Sequence, residues 1–93
     1  MKTGFVYKWT NAVNGKWYIG SHMGNTADGY LANGKIIKQA FSKYGLGSFS
    51  REILYQGPFF REEEERYLTE VDARSSPESY NLKNTSEEGL NGK

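Results

Sequence analysis

Gly4-Phe5-Val6-Tyr7, an Asn14-Gly15 turn signal and Tyr18-Ile19-Gly20 form the stretch that decides the fold. Each flank is short, aromatic and β-branched, and the turn pair between them favours a hairpin. A two-residue turn at Asn14-Gly15 sets Tyr7 opposite His22. A wider loop from Thr10 to Gly15 sets Tyr7 opposite Tyr18 and is the expected arrangement, because it makes the two phenols direct neighbours. Both registers pair odd positions with even ones. In either case Tyr7, Tyr18, Gly20 and His22 therefore share a face, and Val6, Trp17 and Ile19 on the other are the expected core.

Working outward, residues 21–34 are rich in Gly, Asn and Ser and lack any period. So long a loop in so small a chain points to function or to disorder. Ile36, Ile37, Ala40, Phe41 and Tyr44 then fall on one helical stripe, which predicts a helix from Lys35 to Tyr44, with Asn33 as its N-cap and Gly45 as its stop. Phe49 to Tyr55 alternates and reads as a third strand, broken by Gly57-Pro58. A second helix is predicted from Phe59 to about Ala73, ended by Ser75-Ser76-Pro77. Tyr80-Asn81-Leu82 is expected to pack back on the body. Residues 1–85 read as one domain and 86–93 as a flexible polar tail.

The chain has 93 residues, no cysteine and one histidine. That allows one modest core and excludes a disulfide framework or a thiolate zinc site. No stretch is long and apolar enough for a membrane span, and no signal-peptide pattern opens the chain; a cytoplasmic protein is expected. The net charge of +1 hides an asymmetry. Residues 1–50 hold six lysines against Asp28 alone, giving +5, and the remainder is −4. A basic half suits a polyanion, with Lys8, Lys16, Lys38 and Lys43 as candidate DNA contacts.

Helical phase separates the four acids of Glu62-Glu63-Glu64-Glu65. At about 100° per residue, Phe60, Tyr67, Leu68 and Val71 form one stripe and Glu64 stands near its middle. Glu62 lies opposite, Glu65 well off the stripe, and Glu63 at its border. A carboxylate in an apolar stripe is costly unless paired or bound to a cation. A salt bridge to Arg51 or a lysine is one reading; ligation of Mg²⁺ by a single carboxylate with retained waters is the other.

Taken in order, these features resemble the GIY-YIG nuclease family, over most of the chain from Gly4 to Asn81. Phe5-Val6-Tyr7 stands at the first tripeptide and Tyr18-Ile19-Gly20 is the second. Glu64 with Tyr67-Leu68 resembles the helix glutamate, and Tyr80-Asn81 the C-terminal asparagine. Tyr18 to His22, Asp28-Gly29-Tyr30-Leu31 and Phe41 to Gly45 are most similar to phage-borne homing-type members. The resemblance implies an α+β fold, a small three-stranded antiparallel sheet flanked by helices in the order β-β-α-β-α.

It also implies a Mg²⁺-dependent DNA endonuclease, with one divalent metal that Mn²⁺ can replace. Glu64 would hold the metal, Tyr7 or Tyr18 would take a proton from the attacking water, and Asn81 would order the site. Gly20 is the structural glycine of the second tripeptide. The arginine usual on the first helix is absent; His22 and Lys35 are its candidate replacements. The expected substrate is double-stranded DNA, cut by a site-preferring nickase of a phage or phage satellite, with an oligomer or partner protein supplying further contacts. The alternatives are an inactive DNA-binding module on the same scaffold and a protein-interaction module using the acidic helix.

Overall fold

A computed structural model describes residues 3–81 of the chain. The predicted hairpin is formed by β1, Gly4–Asn11, and β2, Trp17–Met23. Its register is neither of the two considered from sequence: Tyr7 faces Gly20, and Trp9 faces Tyr18. Side-chain bonding in the turn sets this outcome. Asn11 Oδ1 accepts from the Val13 amide at 2.9 Å, Asn14 Oδ1 accepts from the Lys16 amide at 2.9 Å, and the Asn11 amide donates to the Lys16 carbonyl at 2.8 Å. The two asparagines thus build a four-residue loop, residues 12–15, in which Gly15 takes a φ of 76°. The pairing still joins odd to even positions, so the shared face of Tyr7, Tyr18, Gly20 and His22 stands.

The first helix, α1, spans Lys35–Tyr44 as expected and stops at Gly45, whose amide donates to the Phe41 carbonyl at 2.9 Å. Its N-cap is Gly34, not Asn33. The extended cap conformation falls on Gly34, so the helix begins one residue too late for the Asn33 side chain to cap it. After a single 3-10 turn at Leu46–Ser48, β3 runs from Phe49 to Gly57 and pairs antiparallel with the free edge of β1. The strand order is β2-β1-β3, with β1 in the centre. The second helix, α2, spans Phe60–Val71. It ends before the predicted Ser75-Ser76-Pro77 stop because Asp72 turns left-handed, at φ 50°, and its amide bonds the Leu68 and Thr69 carbonyls.

The core lies on both faces of the sheet, not only on the Val6 face. Phe5, Tyr7, Trp9 and Tyr18 pack with Ile37 and Ala40 of α1 and with Phe49 and Tyr80. On the other face Val6 and Ile19 pack with Phe60, Leu68 and Ala73, and Trp17 is only half-buried. A central strand covered on both sides has no polar face to alternate with, which is why β1 is aromatic and apolar at consecutive positions. Val71 has the right helical phase but stays 46% exposed, since the turn at Asp72 delivers Ala73 into that end of the core instead.

The outer edge of β2 is covered as well. Trp17 bridges Ser79 in parallel, its amide donating to the Glu78 carbonyl at 2.9 Å, while the Tyr80 amide donates to the Trp17 carbonyl at 2.7 Å. Leu82 and the tail, 86–93, lie outside the described residues. Among the described residues no helix is long and apolar enough to cross a membrane.

Candidate active site

Three phenols converge on the α1 face of the hairpin. The Tyr7 and Tyr18 rings lie 6.3 Å apart between centroids, and Tyr30 meets Tyr7 edge-on at 6.1 Å. Tyr7 and Tyr18 are diagonal neighbours across the strand pair, a spacing aromatic rings bridge easily. The position facing Tyr7 must then be empty, and it is Gly20. A Cβ there would collide with the Tyr7 hydroxyl, 2.7 Å from its Cζ and 2.9 Å from Tyr18 Cε2. Gly20 is thus demanded by close approach of the phenol, not by backbone conformation. Burial holds the Tyr7 phenol protonated, far above its usual range, with the neighbouring Tyr18 and Tyr30 phenols and the Glu64 charge adding in that order.

Glu64 reaches this cluster from the opposite side of the sheet. It is 2% exposed on α2, between Phe60 and Leu68, as the helical phase requires. Ser21 follows Gly20 and, by strand alternation, points to the α2 face. Its hydroxyl donates to Glu64 Oε1 at 2.6 Å, a short charge-assisted bond. The Gly20-Ser21 step therefore links the two layers: one residue makes room for the phenol, the next holds the carboxylate. Arg51 is not the partner of Glu64. It lies on the tyrosine face, over the Phe5 and Trp9 rings at 5.5 and 5.9 Å, and donates to the Thr26 carbonyl at 2.7 Å.

The segment 24–34 has no helix or strand, yet it is tied down. His22 stacks on Tyr30, with centroids 3.7 Å apart and planes within 5°. Asp28 bonds both: Oδ2 lies 3.1 Å from His22 Nε2, and Oδ1 accepts from the Tyr30 amide at 3.0 Å. An ionised carboxylate only accepts, so this bond makes Nε2 the donor. Ser21, Asp28 and Tyr30 were not picked out individually from sequence. Ser21 was recoverable from strand alternation next to Gly20; Asp28 and Tyr30 sit where no period guides the reading.

Asn81 bonds the backbone of Ile19 twice. Its Oδ1 accepts from the Ile19 amide at 2.9 Å and its Nδ2 donates to the Ile19 carbonyl at 2.8 Å, both buried. One side chain thus imitates a strand neighbour and pins β2 between Tyr18 and Gly20. The lysines are more scattered. Lys35 is exposed at the start of α1 and makes no ion pair or hydrogen bond among the described residues; Lys38 is exposed one turn on. Lys8 lies over Trp17 at 5.4 Å, on the α2 side of the sheet. Lys16 and Lys43 come together at the hairpin turn, away from the phenols.

A three-stranded sheet between two helices, with paired phenols, a tripeptide glycine beneath one of them and a buried helix glutamate, gives the chain the fold of a GIY-YIG catalytic domain. Its fold matches a variant of the catalytic domain of intron endonuclease I-TevI with a TM-score of 0.68, at 21% identity, covering 92% of this chain and 98% of that one. In sequence it is 47% identical over 81 residues to the candidate endonuclease segE of Enterobacteria phage T4, and 38% identical over 85 residues to endonuclease segA of the same phage. Those alignments cover 86% and 88% of this chain but 38% of each relative, so the chain spans well under half the length of the proteins it matches. No protein-family model matches the chain.

Proposed function

We propose that the chain is a DNA endonuclease domain that hydrolyses phosphodiester bonds at the tyrosine face with one divalent cation, Mg²⁺ or Mn²⁺. The observation that carries this reading is the Gly20-Ser21 step, which brings the Tyr7 phenol and the Glu64 carboxylate to the same edge of the sheet. A structural aromatic pair accounts for Tyr7 and Tyr18 but leaves Glu64 unexplained. The phage relatives named as endonucleases support the same reading.

The donor set suits a hard cation. Glu64 offers a carboxylate and Ser21 a hydroxyl oxygen, and no cluster of three or more His, Cys, Asp or Glu side chains competes among the described residues. When bound, Mg²⁺ supplies charge neutralisation at the scissile phosphate and its leaving oxygen. The chain's own residues do the rest. Tyr7 or Tyr18 accepts the proton of the attacking water while releasing its own hydroxyl proton to solvent, in a concerted transfer because Tyr7 begins protonated. Ser21 orients the Glu64 carboxylate. His22, held by Asp28 and Tyr30, is set to bond a phosphate oxygen on the tyrosine face. Asn81 keeps β2 from fraying beneath these groups. With one such site per chain, each encounter breaks one strand, so a nick is the expected product.

The test is cleavage of supercoiled plasmid in Mg²⁺. Open-circle product should accumulate before linear, and EDTA should abolish it. Glu64→Ala should lose the activity while keeping its circular dichroism spectrum. Supercoiled DNA passing directly to linear product would refute nicking, and full activity in Glu64→Ala would refute the site.

A further inference from the structure

An open cleft of about 190 Å³ lies between the hairpin turn and the C-terminal half of α1, lined by Asn14, Lys16, Gln39, Lys43, Tyr44 and Tyr80 among others. We propose that it is a backbone-phosphate site for duplex DNA, apart from the phenol cluster; the inference rests on the nuclease reading above. The lining contains two ammonium groups and two side-chain amides, and no carboxylate. Neither Lys16 nor Lys43 forms an ion pair among the described residues.

The frame around the lysines is built in advance. Asn14 donates to the Tyr80 hydroxyl at 3.3 Å and accepts from the Lys16 amide at 2.9 Å, which fixes the backbone that carries Lys16. Asn11 donates to the same hydroxyl at 3.2 Å, so Tyr80 anchors both asparagines of the turn. Lys43 stands over the Tyr44 ring at 5.3 Å. It is not needed to cap α1, because the Gly45 amide bonds the Phe41 carbonyl and Ser48 Oγ bonds the Tyr44 carbonyl at 2.8 Å. A rigid turn, a stacked lysine and a lining without carboxylates suit an anion that arrives from outside.

The placement fits a duplex. Lys16 precedes Gly20 by four residues of extended chain, about 13 Å. Phosphates on one strand of B-DNA advance about 3.4 Å per step along the axis while winding around it, so this separation reaches only a few phosphates from the scissile one. A contact there would fix the register of the strand while carrying no base information.

The experiment is fluorescence anisotropy of a labelled duplex at several salt concentrations, without divalent metal so that nothing is cut. The Lys16→Ala/Lys43→Ala protein should show a log Kd against log salt slope reduced by about 0.9–1.8, the release expected for one or two phosphate contacts. Arg66→Ala, on α2 and paired with Glu63 at 2.7 Å, should leave the slope unchanged. In plasmid nicking the double variant should raise KM and keep kcat. A wild-type slope in the double variant, with DNA still bound and nicked, overturns the cleft alone. A wild-type protein that neither binds nor nicks DNA overturns the nuclease reading and the cleft together.

Discussion

Gly20 carries more consequence than any other single residue, because the Tyr7 phenol occupies the space its side chain would fill. Gly20→Ala should destabilise the protein by about 1–3 kcal/mol, the range for overpacking a core, measured by urea denaturation. Tyr30 is the informative residue of the loop. Tyr30→Phe keeps the stack on His22 but deletes the hydroxyl next to the Tyr7 phenol. It should lower kcat roughly ten- to a hundredfold with DNA affinity unchanged, as expected when a reacting group is displaced without loss of binding. Tyr7 also imposes a pH dependence. Its folded pKa is raised, so the stability it contributes is complete below pH about 10, where the unfolded phenol titrates, and declines as pH rises further. Denaturation midpoints between pH 8 and 11 should fall less steeply in Tyr7→Phe than in the wild type.

At the scale of elements, α2 holds a carboxylate where an apolar residue would pack without desolvation cost. Glu64→Leu should keep or raise the denaturation midpoint while abolishing cleavage, because isosteric replacement of a buried charge is often stabilising. A loss of stability above about 2 kcal/mol would mean that Glu64 is structural. This is also the scale at which the sequence was most legible. Helical period located α1 and singled out Glu64, and strand alternation put Tyr7, Tyr18, Gly20 and His22 on one face. Period cannot reveal bonding by polar side chains. The register escaped because Asn11 and Asn14 shape the turn through their side chains; the early end of α2 escaped because it depends on one aspartate accepting a left-handed backbone. Tyr30 escaped because its partners, His22 and Asp28, are joined by geometry rather than spacing.

At the scale of the whole molecule, the sheet divides the working parts. Phenols and histidine lie on the α1 side, the glutamate comes from the α2 side, and the strand between them is held by Asn81. Asn81→Ala leaves the buried Ile19 amide and carbonyl without these bonds, which should cost about 1–3 kcal/mol and speed hydrogen exchange at Ile19 beyond the change in global stability. Unchanged exchange at Ile19 would mean that another group holds the edge of β2.

The clasp of Ile19 by Asn81 also sets a schedule. Every phenol of the cluster has been translated by residue 30, and Glu64 follows, but the edge of β2 stays open until residue 81 has left the ribosome. At about 5–20 residues per second, the interval between Tyr30 and Asn81 is roughly 3–10 s. A nascent chain therefore carries the phenols of the cluster for seconds before the strand beneath them is secured.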